Sequence, residues 1–192
     1  TDTEMKYILL LLLMSTMAYA ADNTIVIDQI GSNNTYTITQ EGSGHSASVT
    51  TGKTSDVDYM TLTILQTGTG NKTTSVEVKS GINNGINISQ EGAGNHTASI
   101  QNLTGNANSI TISQSGAGSH EFNVINTAGT TNSSNTLNAT QSGGVGAEKS
   151  FNVWLNGATG ANISVTQTST SSNQGGMSVS CNPGSCGSWT YT

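Results

Sequence analysis

Six glutamines each close a short alternating segment. The segments are Tyr36-Thr37-Ile38-Thr39-Gln40, Leu62-Thr63-Ile64-Leu65-Gln66, Ile86-Asn87-Ile88-Ser89-Gln90, Ile110-Thr111-Ile112-Ser113-Gln114, Leu137-Asn138-Ala139-Thr140-Gln141 and Ile163-Ser164-Val165-Thr166-Gln167. Successive glutamines lie 26, 24, 24, 27 and 26 residues apart. A carboxamide is donor and acceptor at once. Repeated at a fixed interval, its chemistry is self-pairing: each amide donates to the oxygen of the next, and the set forms a ladder. Buried alone, the same amide is costly. Gln29, at the end of Ile25/Ile27, opens the series. The expected core ladder is therefore Gln29, Gln40, Gln66, Gln90, Gln114, Gln141 and Gln167. Asn102 and Asn126 stand where a second strand set would place a ladder of its own.

Other reactive types are sparse. His45, His96 and His120 follow a glutamine by five, six and six residues. A histidine column could bind metal or sense pH; the same positions suit turn residues standing in for asparagine. Cys181 and Cys186 flank Asn-Pro-Gly-Ser, which reads as a disulfide closing a small turn, because paired cysteines in an exported chain are usually bridged. Tetrahedral zinc wants four ligands, so a two-cysteine metal site is the weaker reading. The acids, among them Asp28, Glu41, Asp56, Asp58, Glu77, Glu91, Glu121 and Glu148, fall on outer faces or loops rather than in acid/base pairs. No phosphate loop, nucleophile elbow or His-x-x-x-His is present. The reading is not an enzyme, with no cofactor and no metal.

The elements that position the glutamines are strands. Apolar residues alternate with a period of two. One face should point inward: Ile25, Ile27, Ile38, Leu62, Ile64, Ile86, Ile88, Ile110, Ile112, Leu137, Ile163 and Val165. The other carries Thr, Ser and Asn. Glycines two residues after a glutamine, Gly31, Gly42, Gly68, Gly92, Gly116 and Gly143, mark the turns; after Gln167 that place is Ser169. A second, less regular strand set lies between: Ala47/Val49, Val76/Val78, Ala98/Ile100, Phe122/Val124 and Phe151/Val153. The fold expected is all-β, a β-solenoid of stacked strand-turn-strand repeats, with two parallel in-register sheets and about six to seven rungs.

Composition agrees. Charged residues are 8% and aromatics 5%, with 23 glycines, one proline and no arginine among 192 residues. So few large side chains suit a core one side chain deep. The net charge of −6 argues against nucleic acid, which needs basic patches. Residues Lys6 to Ala20 read as a secretory signal, with an apolar run Ile8 to Met14 and Ala18-Tyr19-Ala20 as the cleavage site. That run is too short to span a bilayer, so no integral membrane segment is expected in the mature chain. The organisation expected is residues 1–20 as upstream residues and signal, 21–175 as repeats, and 176–192 as a tail with Cys181/Cys186 and Trp189/Tyr191 that caps the stack or docks on a neighbour.

At this point the chain resembles the curlin repeat of the curli amyloid family. Gln29, Gly31, Asn34 and Gln40 match its spacing, with Tyr36 in place of a small residue. Gln40, Gly42 and Ala47 continue it, with His45 for asparagine and Thr51 for the last glutamine. Gln66/Gly68/Asn71 and Gln90/Gly92/Asn95 match its first half. The resemblance implies a secreted subunit that polymerises with itself, stacking end to end into extracellular or cell-surface fibres for matrix formation, adhesion or aggregation. It also implies a nucleator and an outer-membrane secretion pore as partners. Bare sheet ends favour polymerisation on physical grounds as well: Asn23-Thr24-Ile25-Val26-Ile27 holds no proline or lysine to block its edge. Two alternatives stand beside this: a monomeric capped adhesin binding a surface or glycan, and ice binding through the Thr/Ser face.

Overall fold

The computed structural model describes residues 22–52, 57–101, 105–126, 130–168, 175–181 and 188–191. The expected signal segment, Asn102 and Cys186 lie outside the described residues.

The glutamine-closed segments form one parallel sheet. Its strands are β2 (Thr35–Gly42), β5 (Thr61–Gly68), β8 (Gly85–Gln90), β10 (Ser109–Gly116), β12 (Thr136–Gly143), β14 (Asn162–Gln167) and β16 (Ser188–Tyr191), stacked in sequence order. The intervening segments form the other: β1 (Thr24–Asp28), β3 (Ser46–Thr50), β6 (Lys72–Val76), β9 (His96–Ile100), β11 (His120–Ile125), β13 (Lys149–Leu155) and β15 (Gly175–Cys181). The short strands β4 (Val57–Asp58) and β7 (Gly81–Ile82) pair in a corner. The fold is an all-β solenoid with parallel sheets, as the period-two pattern and the repeat length predict. No helix long and apolar enough to cross a membrane occurs among the described residues.

Register follows the repeat. Gln40 pairs with Gln66, Gln66 with Gln90, Gln90 with Gln114, Gln114 with Gln141 and Gln141 with Gln167. In parallel in-register stacking, each side chain meets its equivalent one strand away. Leu62, Ile64, Ile86, Ile88, Ile110, Ile112, Leu137, Ile163 and Val165 are buried, and Ile38 packs half-buried against them. The facing sheet contributes Ala47/Val49, Ala98/Ile100, Phe122/Val124 and Phe151/Val153. Phe122 and Phe151 stack with centroids 5.4 Å apart. In β6 the register puts Thr74 opposite Ala47 and Val76 opposite Val49. The inward pair there is thus Thr74/Val76 rather than Val76/Val78, with Val78 buried beyond the strand end.

Three expectations fail at the front end. Ile25 and Ile27 are 48% and 45% exposed, not core. Gln29 is exposed and donates only to the carbonyl of Gly31, at 3.4 Å. The cause is position. The strand β1 ends the second sheet, pairs with β3 alone, and has no neighbour on its outer side among the described residues.

The turn glycines explain the repeat's constancy. Gly31, Gly42, Gly68, Gly92 and Gly116 all have positive φ, and Gly143, in the same register, does not. At Gly68 the φ is 104°, and an added Cβ would run into the carbonyl oxygen of Gly92 one strand on. Conformation and stacking distance both demand glycine there.

Candidate functional site

The chemistry of the described residues lies in side-chain columns along the stack. The glutamines form the first. Nε2 of Gln40 donates to Oε1 of Gln66 at 2.7 Å, Gln66 to Gln90 at 3.0 Å, Gln90 to Gln114 at 2.9 Å, Gln114 to Gln141 at 3.0 Å and Gln141 to Gln167 at 3.1 Å. Each donor amide has a second hydrogen, and it reaches across the core. Gln40 donates it to the carbonyl of Thr24, Gln66 to Ser46, Gln90 to Thr73, Gln114 to Thr97 and Gln141 to Glu121, at 2.9–3.2 Å. The ladder therefore runs along one sheet and ties it to the other. Thr74 Oγ1 joins by donating to Gln90 Oε1 at 2.9 Å. Gln29 is outside this set, just past the end of β1 in the other sheet.

A second amide column sits one residue before the glutamine strands, at Asn84, Asn108 and Asn135. Nδ2 of Asn108 donates to Asn84 Oδ1 at 3.1 Å and to the carbonyl of Asn132 at 2.9 Å. Asn135 repeats the pattern, donating to Asn108 Oδ1 at 3.0 Å and to the carbonyl of Ala158 at 2.9 Å. The backbone amides of Asn108 and Asn135 also donate to the oxygen of the preceding asparagine, at 3.1 and 3.2 Å. The signal in the sequence is an asparagine six residues before the glutamine, at Asn34, Asn84, Asn108 and Asn135; Met60 and Ala161 take that place in the other two segments. The expected second ladder falls elsewhere: Asn126 is buried with Nδ2 unpartnered in the described structure. Replacing Asn108 with Ala should orphan the carbonyl of Asn132 and the amide of Asn135. The expected cost is about 2 kcal/mol, read as a lowered denaturant midpoint.

The third column is built of basic side chains and lies at the start of the facing strands. Register aligns Lys72 with His96, His96 with His120 and His120 with Lys149; His45 holds the equivalent place before β3. All five are buried. The imidazoles of His96 and His120 stack 5.1 Å apart, 7° from parallel. Lys72, 0% exposed, places its ammonium against three carbonyls: Gly70 at 2.7 Å, and Gly92 and Gly94 at 2.9 Å. These oxygens come from the Gly-rich turns, whose lack of side chains lets an ammonium approach. Lys149 donates to the carbonyl of Ala147 at 3.0 Å. Burial lowers the Lys72 pKa below the usual lysine value.

The histidines are held in one tautomer. Nε2 of His45, His96 and His120 donates to the carbonyl of Glu41, Glu91 and Ser115 at 3.1, 2.9 and 3.1 Å. Nδ1 of each is buried without a partner, so protonation there would bury an unpaired N–H. Burial pulls His96 down to about 4; its bond to Glu91 opposes this, and the charges of His120 and Lys72 add to it. Burial also lowers His120, with Lys149 adding to the fall and the Ser115 carbonyl and Glu148 opposing it. No three His, Cys, Asp or Glu side chains gather as a metal would require among the described residues.

The two spatial features that remain are the cysteine tail and the repeated turn that carries Gln, Gly and a small residue. Cys181 is buried and disulfide-bonded, and it ends β15. The repeated turn is at its most regular in β1 to β3, where Gln29, Gly31, Asn34, Gln40, Gly42 and Ala47 follow one another. Residues 20–52 match the curlin associated repeat. No curated protein and no solved structure matches the chain. The curlin match spans β1, β2 and β3, and the later rungs stack on that unit in register beyond the matched residues. Curlin-type spacing thus accounts for Gln40, Gly42 and the inward Ala47. His45, in the place of the repeat's asparagine, begins the column of basic side chains that this chain continues with Lys72 and His96.

Proposed function

We propose that this chain is a structural subunit, exported from the cell, that stacks end to end with copies of itself into curli-like extracellular fibres. The observation that carries the proposal is the open end of each sheet. Both seven-stranded sheets are parallel and in register, and their terminal strands have no neighbour on the outer side among the described residues. Strand edges of this kind are templates for further strands unless charge, proline or a covering element blocks them. The leading strand β1, Thr-Ile-Val-Ile-Asp, has neither lysine nor proline and shows Ile25, Val26 and Ile27 to solvent. The curlin match over residues 20–52 supports the same reading. With it come matrix formation, adhesion or aggregation as the role, and a nucleator and an outer-membrane pore as partners.

The described part of the tail is itself built of strands. Its strands β15 and β16 pair in register with β13 and β14, so they extend the stack. The disulfide at Cys181 is the feature that favours the capped-adhesin reading. Dilution of the chain from denaturant, followed by thioflavin fluorescence and electron microscopy, separates the two. Fibres are expected, with elongation suppressed in the edge variant Ile27→Lys. A β-rich chain that stays monomeric would overturn the fibre reading and leave the adhesin.

A further inference from the structure

Acids and bases are sorted by depth in this solenoid. Among the described lysines, Lys72 and Lys149 are buried, and Lys79 pairs with Glu77 at 2.6 Å. None of the described acids is buried. The described exterior is therefore anionic almost throughout, and what it attracts is a cation.

One place on that exterior is concave. An open hollow of about 430 Å³ lies on the outer side of the second sheet, across the starts of β9, β11, β13 and β15. Register explains it. The outward rank Thr97, Glu121 and Ser150 ends at Gly176, which has no side chain. A Cβ added there would meet nothing within 4 Å.

We propose that this hollow binds an amino sugar, with the protonated amine held by Glu121 and Glu148 and the ring hydroxyls by Asn95, Thr97, Ser119 and Ser150. Charge favours a single ammonium. Glu121 and Glu148 bring two negative charges. Lys149 brings one positive charge, turned to the carbonyl of Ala147 at 3.0 Å. His120 is neutral at pH 7, because burial lowers its pKa. One negative charge is left for the ligand to balance.

Hydrogen bonding favours the same ligand. Glu121 accepts from Asn123 Nδ2 at 2.8 Å, and an ionised carboxylate has about four acceptor positions. His120 lines the hollow at 1% exposure; its Nε2 donates to the carbonyl of Ser115, and its Nδ1 is an acceptor with no partner in the described structure. His45 and His96 have the same unpartnered nitrogen, but neither lines the hollow. A site whose spare capacity is mostly for accepting suits a group that only donates, and an ammonium is one. The chain already treats its own ammonium in this way: that of Lys72 meets three oxygens at 2.7–2.9 Å. The body of the ligand follows from the rest of the lining. It consists of hydroxyls and an amide, and among the described residues no valine, leucine, isoleucine or phenylalanine faces the hollow. An alkyl amine would have no apolar side chain to lie against, whereas a hydroxylated ring has partners all round.

Equilibrium dialysis of the full chain against labelled glucosamine tests the site. It reads soluble chain and fibres alike, so its failure leaves the fibre reading standing. Saturable binding of one glucosamine per chain is expected. N-acetylglucosamine keeps the ring and loses the charge, and ethanolamine keeps the charge and loses the ring. Each should bind at least about tenfold more weakly. Glu121→Gln/Glu148→Gln should weaken glucosamine by about tenfold or more. Gly176→Leu, whose side chain enters open space, should abolish binding. Glu41→Gln/Glu91→Gln removes two exposed acids that do not line the hollow and should change nothing. Circular dichroism checks that each variant is folded. A glucosamine tetramer that binds at least as tightly as the monomer assigns the site to a polysaccharide, and weaker binding assigns it to the free sugar; both support it. Absence of saturable binding, equal binding of N-acetylglucosamine or ethanolamine, or equal losses in the two acid pairs would each overturn it.

Discussion

Replacing Gln90 with Ala should cost the chain about 4 kcal/mol, among the largest effects of any single polar substitution in it. Gln90 is fully buried at the centre of the ladder. It accepts from Gln66 and Thr74, and donates to Gln114 and to the carbonyl of Thr73. Alanine removes four bonds and leaves those partners in a core that water does not reach. Leaving a buried polar group unsatisfied costs roughly 1–3 kcal/mol, more than the net gain from making the bond. Gln66 and Thr74 can still bond each other at 3.2 Å, which limits the loss. The effect should be graded by position. Gln40 is half-buried in the end strand, so its replacement by Ala should cost about 1 kcal/mol. Gln29→Ala should be silent within about 0.5 kcal/mol, as for a surface residue outside any network. Denaturant midpoints of the three variants check the order. Equal effects at Gln29 and Gln90 would show that the ladder is not what stabilises the core.

The second large effect is with acid. His96 titrates near 4 in the folded chain, against 6.5 for a free histidine, and His120 is lowered in the same direction. Above pH 6.5 both states hold a neutral imidazole and nothing is lost. Below it the unfolded chain takes up protons that the folded chain refuses, so stability falls as pH drops from about 6.5 towards 4. For His96 the loss at pH 4 should be about 2 kcal/mol, once solvent screening is discounted from the full difference. His120 adds to it. The groups around the pair are Lys72 and Lys149 in the column, with Glu148 beside His120. In His96→Asn/His120→Asn, the denaturant midpoint should hold nearly constant across this window where the wild type declines. Parallel decline in both proteins would assign the acid sensitivity to other groups.

Much of this was legible in the residues, and the reasons differ by element. The glutamine sheet was readable because three signals coincide in each segment: period two, a terminal glutamine and a glycine two beyond. The facing sheet was less so, because the turns before it vary in length. Lys72 follows its glutamine by six residues, as His96 and His120 do, and only the change of residue type hides it; Lys149 follows by eight, which hides its rank with them. The asparagine column was missed for a different reason. In so asparagine-rich a chain, Asn84, Asn108 and Asn135 stand out only when counted backwards from the glutamines. Ile25, Ile27 and Gln29 carry the pattern of a core strand and are nevertheless exposed. Alternation reports which residues share a face; it holds no information about which strand ends the stack.

The glutamine ladder has one further property. Every amide in it points the same way, with nitrogen towards the higher-numbered neighbour. Six aligned carboxamide dipoles make the column a wire with a sign, carbonyl at the front and amino group at the back. Turning over any single amide inside it would set oxygen against oxygen on one side and N–H against N–H on the other. The orientation is therefore a shared, all-or-none variable: the column can be reversed only as a whole, and each rung inherits its direction from the rung before it.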